Sequence, residues 1–192
     1  MMNLKNKPKI TFNAPVVLGF AMICLLATIA NMITAGGSNR LLFSTYRSSL
    51  FSPLTYLRLF THVFGHSGWA HLVGNMAYIL LLGPMLEEKY GSVRLVAVMT
   101  VTALVTGLIN NLLFGNVALC GASGIVFAFI LLTSFTSFKE GEIPLTFILV
   151  AVIYLGQQIV DGITVRDNIS NLSHILGGIV GGAAGYVLNR KH

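Results

Sequence analysis

Three short polar patterns interrupt an otherwise apolar sequence, and each contains side chains that could take part in nucleophilic or acid–base chemistry. The patterns are His71-x-x-x-Asn75, Gly121-x-Ser123-Gly124, and His174 followed by Gly177 and Gly178. A serine hydroxyl becomes a nucleophile when a neighbouring base takes its proton, so Ser123 and His174 are a candidate pair. Glycines beside Ser123 would let a substrate approach closely, and the free N–H groups of a helix start would suit an oxyanion.

Each pattern also has a purely structural interpretation. Glycines beside Ser123 could form a small-residue packing patch, which is common in membrane helices, and His174 could be hydrogen-bonded only for packing. His71 and Asn75 are four residues apart and share one helix face, so they could be a polar helix start beside a wet loop. Because both can donate to a developing negative charge, they suit an oxyanion hole better than a general-base pair.

Two more histidines, His62 and His66, have the four-residue spacing that zinc ligands on a helix often show. The segment between them lacks the glutamate of a His-Glu-x-x-His protease motif, and no acidic residue is near enough to be a third ligand. We therefore expect neither a metal nor a cofactor. The two histidines are expected to fix the surrounding loop by packing and hydrogen bonding.

The composition places these patterns in a membrane protein. Of the 192 residues, 55% are hydrophobic and only 9% are charged, and the mean hydropathy is +0.80. A soluble domain carries about 25% charged residues, so a soluble enzyme and a disordered regulator are excluded. The net charge of +6 arises from a shortage of acids, without the interleaved basic and aromatic residues of a nucleic-acid binder. Cys24 and Cys120 lie in apolar surroundings and predict no disulfide framework.

Six charge-poor runs are long enough to cross a bilayer, which needs about 17 to 25 mostly apolar residues. We therefore predict an all-α, polytopic fold, a bundle of six transmembrane helices between cytoplasmic tails at 1–13 and 189–192. The first run is expected to be retained as a span and not removed as a signal peptide. The long connection 34–69 is expected to be an amphipathic segment lying in the membrane interface, with no second domain. The predicted spans are 14–33, 70–86, 93–114, 121–138, 144–160 and 171–188.

The distribution of Lys and Arg orients the predicted bundle. Eight of them fall on the side of the two tails and four on the opposite side, so the tails are predicted to be cytoplasmic. Even-numbered spans then run from outside to inside. His71, Asn75, Ser123 and His174 all lie in the first turns of even spans, which places them in one layer near the outer surface. Polar residues in spans are costly, so this shared depth favours function over chance.

The residues around the pair have predicted supporting roles. No acid is expected to complete a triad at this depth, because Asp161 and Asp167 lie in the predicted outer loop between spans five and six, and Glu87 and Glu88 lie at the inner end of span two. A Ser–His dyad is therefore expected. Phe127, one turn after Ser123, could stack on the His174 ring, or it could face lipid or the core. Ser173, Gly177, Gly181 and Gly185 recur every four residues as a small-residue face. Gly178 and Gly182, on the stripe of His174, are expected to set the approach of span six to span four.

From about Arg58 to Gly182, the sequence resembles the rhomboid family of intramembrane serine proteases, in its six-helix bacterial type. The three patterns carry the resemblance, and Arg58, Gly83-x-x-x-Glu87 and Gly91 add secondary matches. The resemblance implies a serine endopeptidase of the bacterial inner membrane whose site faces the periplasmic side. Its partners would be the lipid bilayer and the transmembrane helices of substrate proteins. Ser123 would be the nucleophile and His174 the base and acid, while His71, Asn75 and the Ser123 N–H would hold the oxyanion.

The sequence departs from the family pattern at three places. Leu57 precedes Arg58 where the family has Trp, Ser173 precedes His174 where Ala is common, and Phe127 replaces a frequent Tyr. None of the three touches the dyad. Two other functions are alternatives: a catalytically inactive rhomboid-like binder of transmembrane helices, and a small transporter. Both Ser123 and His174 are present, which argues against the first, and the spans lack the midplane acids and inverted repeats typical of the second.

Overall fold

The computed structural model describes residues 11–114, 117–136, 143–164 and 168–190, and the elements of this part of the chain are helices. Its β-type pairing is limited to a single antiparallel bridge between Thr45 and Leu119. Two shorter turns lie in the first long connection: a π-helical turn, Asn39–Phe43, and a 3-10 turn, His62–Phe64. The α-helices are α1 (Pro15–Ile33), α2 (Pro53–Thr61), α3 (Trp69–Tyr90), α4 (Ser92–Leu113), α5 (Ser123–Thr133), α6 (Leu145–Thr164) and α7 (Asn168–Asn189).

Each predicted span corresponds to one helix, and the all-α membrane fold is confirmed. In the described part of the chain, α1, α3, α4 and the segment Asn171–Asn189 of α7 are long and apolar enough to cross a membrane. α5 is apolar but shorter, with 11 residues, so the predicted span 121–138 is wrong at both ends. Gly121 has a φ of +130°, which no α-helix contains, and the chain leaves the helix after Thr133.

The long connection 34–69 is folded and amphipathic. Within α2, Thr55, Arg58 and Leu59 are buried while Tyr56, Leu57 and Phe60 are exposed. The helix begins with Pro53, whose fixed φ and missing N–H suit a first turn. α2 packs against α4 and the π-helical turn, so the connection is held to the bundle and carries one apolar face outward.

Several charges used for the predicted orientation lie outside the described residues. Most of the first tail and the end of the second are among them, and the basic residues that this affects are Lys5, Lys7, Lys9, Lys139, Arg166 and Lys191. The assignment of the tails to the cytoplasm therefore stays a prediction.

α5 is the central element of the bundle. Ile125, Ala128, Phe129 and Leu132 are fully buried, and α5 packs on α7, α3 and α4. Long apolar side chains cover the outward faces of the other helices, while the buried set includes Asn75, Glu87, Thr102, Thr106 and Asn110. Polar groups inside and apolar groups outside are the arrangement that a bilayer solvent favours.

Glu87 joins α1 to α3 at the end of the bundle opposite Ser123. Its carboxylate accepts the N–H groups of Val16 and Val17, both at 3.1 Å, and the Ser92 hydroxyl at 2.7 Å. The first N–H groups of a helix have no partner within the helix, and Glu87 supplies one to α1 from the neighbouring helix. Next to it, Gly83 leaves room for Val17, since a methyl group at Gly83 would lie 2.7 Å from that side chain.

We expect Glu87→Gln to lower the thermal unfolding midpoint of the protein in detergent. The substitution keeps the side-chain shape but removes the charge that three donors share, and it should cost about 2 kcal/mol of the free energy of unfolding. Glu88→Gln is the matched control because Glu88 is exposed. Equal melting curves for the two variants would show that the carboxylate does not hold α1.

Candidate active site

Ser123 is the first residue of α5, and the backbone before it is unusual. Gly121 has a φ of +130°, a conformation that L side chains rarely adopt, so glycine is required there. Ala122 precedes the helix without a side-chain cap. The N–H groups of the first turn of α5 are therefore free of a capping side chain, beside a half-buried Ser123.

Three backbone contacts hold the segment that leads to Ser123. Thr45 and Leu119 exchange two hydrogen bonds of 2.9 Å, and the Gly121 N–H donates to the His62 carbonyl at 3.0 Å. Asn110 of α4 adds a side-chain bond from its Nδ2 to the Val117 carbonyl at 3.1 Å. The start of α5 is thus fixed to both halves of the long connection and to α4.

His71 and Asn75 lie against this segment, as their shared helix face requires. A methyl group added at Gly121 would lie 2.8 Å from Nε2 of His71 and 3.8 Å from Nδ2 of Asn75. The Asn75 Nδ2 is buried and has no hydrogen-bond partner within the described residues. A buried amide without a partner is costly, so this donor is available to an acceptor that enters beside Gly121.

Ser67 orients the ring of His71. The Ser67 N–H donates to Nδ1 of His71 at 3.4 Å, and the Ser67 hydroxyl lies 3.2 Å from the same nitrogen. A neutral imidazole that accepts at Nδ1 carries its proton on Nε2. His71 therefore presents an N–H toward Gly121. The sequence analysis missed Ser67, although its four-residue spacing from His71 was a usable signal.

His174 lies over the same end of α5. Its ring stacks on Phe127 with centroids 4.4 Å apart and planes 5° from parallel. Phe127 is one helical turn after Ser123, so the stack brings the imidazole to the α5 face that begins with Ser123. Phe127 makes this stacking contact without the hydroxyl group that a tyrosine at this position would carry.

Two glycines of α7, Gly177 and Gly181, approach α5 closely. Methyl groups at Gly177 and Gly181 would lie 2.0 Å from the Gly124 carbonyl oxygen and 2.1 Å from the Ala128 carbonyl oxygen, and one at Gly185 would lie 2.4 Å from the Phe135 ring. A methyl group at Gly182 would lie 3.6 Å from Phe147 of α6. The expectation that Gly182 sets the approach to α5 was wrong, because its neighbour is Phe147 of α6. Gly178 is buried, and its part in the approach stays a prediction.

His62 is buried between the long connection and α4. Its Nδ1 donates to the Arg58 carbonyl at 3.2 Å, and its Nε2 lies 3.3 Å from the Thr106 hydroxyl. Burial lowers the pKa of His62 to about 4, so the ring is neutral and its nitrogens are both engaged. The packing role expected for His62 agrees with these contacts.

His66 sits behind His71. Its ring meets the His71 ring at an angle of 67°, with centroids 5.0 Å apart, and its Nδ1 donates to the Phe64 carbonyl at 3.1 Å. Burial, and secondarily the nearby His71, lower the pKa of His66 to about 4. The His66 carbonyl accepts the Asn39 side chain at 3.0 Å. His66 thus fills the space between His71 and the π-helical turn.

Arg58 holds the long connection together and does not reach the start of α5 by any described contact. Its Nε donates to the Leu41 carbonyl at 2.9 Å, and its guanidinium lies 4.6 Å from the centroid of the Tyr46 ring. The partner of Arg58 is therefore Tyr46, and Leu57 points outward with 45% of its surface exposed. Glu87 of α3 also lies away from the site, because its carboxylate binds the first turn of α1.

A family model described as the Rhomboid domain matches residues 53–191. The Rhomboid protease GlpG of Haemophilus influenzae is 32% identical over 71 residues, covering 37% of this chain and 36% of that protein. The Rhomboid protease GluP of Bacillus subtilis is 32% identical over 146 residues, covering 73% of this chain and 27% of that protein. The Rhomboid protease GlpG of Salmonella newport is 27% identical over 114 residues, covering 59% of this chain and 41% of that protein. The chain thus spans less than half the length of these relatives.

We expect Gly177→Ala to destabilise the protein in detergent more than Gly182→Ala does. The methyl group at residue 177 would overlap the Gly124 carbonyl and push α7 from α5, and overpacking of this kind costs about 1–3 kcal/mol. At residue 182 the added methyl group makes an ordinary contact with Phe147. Thermal melts of the two variants make the comparison. Equal midpoints would mean that Gly177 does not form the α5 contact.

Proposed function

Because the chain belongs to the rhomboid family, we propose that it is an intramembrane serine endopeptidase that cleaves transmembrane segments of other membrane proteins with a Ser123–His174 dyad. The proposal rests chiefly on the close approach of His71 Nε2 and Asn75 Nδ2 to Gly121, two residues before Ser123. Those donors surround the place where a carbonyl oxygen would sit if Ser123 attacked its carbon. The stack of Phe127 on His174 supports the second member of the dyad.

In the proposed reaction, His174 takes the Ser123 proton as Oγ bonds to the scissile carbonyl carbon. The carbonyl oxygen becomes an oxyanion, which accepts from His71 Nε2–H, Asn75 Nδ2–H and the Ser123 backbone N–H. His174 then gives its proton to the leaving nitrogen as the peptide bond breaks and an ester forms on Ser123. Water, deprotonated by His174, attacks the ester, releases the carboxylic acid and restores the serine.

The proposed substrates are transmembrane helices that open locally. A helix in lipid hides its carbonyls in its own hydrogen bonds, so Ser123 requires a segment with small or helix-breaking residues. Following the Lys and Arg bias, we place the tails in the cytoplasm of a bacterial cell and the site near the periplasmic side of its inner membrane. The proposed reaction uses neither a metal nor a cofactor.

Substitution of Ser123 tests the dyad. We expect Ser123→Ala to abolish cleavage of a reporter membrane protein by the purified protein, with little change in its melting midpoint, because only the nucleophile is lost. Ser134→Ala is the matched control, since Ser134 follows the other end of α5 and its hydroxyl donates to the Ile130 carbonyl. Full cleavage by the Ser123 variant would contradict the dyad. Absence of cleavage by the unsubstituted protein on all reporters would favour the inactive binder.

The oxyanion donors should show a graded loss in the same assay. Removal of one donor typically lowers kcat by about 10²–10³, so Asn75→Ala should retain measurable activity where Ser123→Ala has none. The other donors still hold the oxyanion, so KM should change little. An Asn75→Ala variant with a raised KM and an unchanged kcat would make Asn75 a substrate-binding residue and contradict this role.

A further inference from the structure

An open groove runs along the outer surface of the bundle between α4 and α7, away from the candidate active site. Its volume is about 420 Å³, and every lining residue except one is apolar. Ala97 and Ala183 are among those residues, and their small side chains leave the space between the two helices. The exception is Arg94, which lies in the first turn of α4 at one end of the groove.

The groove is elongated along the helices. It follows α4 from Arg94 to Val101 and α7 from Ile179 to Leu188, which correspond to about 10 Å and about 13 Å at the rise of an α-helix. The apolar walls offer no hydrogen-bond partner along this length. A groove with these walls suits a single extended hydrocarbon chain whose polar end lies at Arg94.

Arg94 is free to bind an anion at that end. Its side chain is exposed, and its described hydrogen bond is a long one, 3.4 Å, from Nη1 to the Tyr90 carbonyl. The first turn of α4 has no side-chain cap, so backbone N–H groups and the positive end of the helix add to the guanidinium. Guanidinium groups bind phosphate through paired hydrogen bonds.

The other charged groups at this end favour an anion as well. Lys89 donates to the Thr136 carbonyl, and the Arg190 guanidinium lies 5.7 Å from the centroid of the Tyr186 ring. Of the two acidic residues at this end, Glu87 accepts hydrogen bonds from α1 and Ser92, and Glu88 is exposed. Basic clusters at the membrane surface attract anionic lipids.

We propose that the α4–α7 groove binds one anionic phospholipid, with its phosphate on Arg94 and an acyl chain between the two helices. The lipid belongs to the leaflet in which α4 begins and α7 ends. A lipid in this place joins α4 to the helix that carries His174, so its binding stabilises the packing of α7. The proposal does not depend on proteolytic activity.

Native mass spectrometry of the delipidated protein in detergent tests the site. The probes are palmitoyl-oleoyl phosphatidylglycerol and the phosphatidylcholine with the same chains, each titrated into the intact protein. We expect one phosphatidylglycerol adduct to form at lower lipid concentration than any phosphatidylcholine adduct. Arg94→Gln should weaken phosphatidylglycerol binding about tenfold, the size of one charge-assisted contact.

Two more variants separate the groove from general surface charge. Arg190→Gln is the matched control because Arg190 lies at the same end but does not line the groove, and it should bind phosphatidylglycerol as the unsubstituted protein does. Ala183→Phe fills the groove and should weaken binding while the melting midpoint without lipid is kept. Equal loss in the two arginine variants, equal binding of the two lipids, or undiminished binding by Ala183→Phe would each overturn the proposal. So would a dimer that Ala183→Phe dissociates, because the groove would then hold a second copy of the chain.

Discussion

The hydrogen bond from the Gly121 N–H to the His62 carbonyl links the long connection to the start of α5, and the geometry of the candidate site depends on it. Lipid cannot satisfy a stray backbone N–H, so irregular backbone at membrane depth must find protein partners. Here the partners come from the connection 34–69, through His62 and through the Thr45–Leu119 bridge. The same contacts turn Gly121 toward His71 and Asn75 and allow α5 to begin at Ser123.

A second constraint comes from α7. Gly177 and Gly181 bring its backbone against the carbonyls of Gly124 and Ala128, a distance that only glycine permits. Because α5 is enclosed by α3, α4 and α7, the position of α7 is set by direct backbone contact. The stacked rings of Phe127 and His174 then hold the imidazole on α5.

Much of this arrangement could be predicted from the sequence because polar residues are rare in its spans. His71, Asn75, Ser123 and His174 fall in the first turns of three even-numbered predicted spans, and that coincidence is visible without a structure. The face of α7 that packs on α5 could not be predicted. The row of small residues that contains Gly177 and the row that contains Gly178 are offset by one residue and have the same four-residue period. The Thr45–Leu119 bridge joins distant segments and has no local signal. The early end of α5 and the fold of α2 depend on tertiary contacts that override composition.

We propose that Ser123 at the start of α5 is a nucleophile that His174 activates. Treatment of the folded, purified protein with a fluorophosphonate, which reacts with activated serines, followed by identification of the labelled peptide, tests this role. We expect a single label on Ser123 that is lost in the His174→Ala variant. Labelling at a different serine, no labelling of Ser123, or an undiminished Ser123 label in the His174→Ala variant would contradict it.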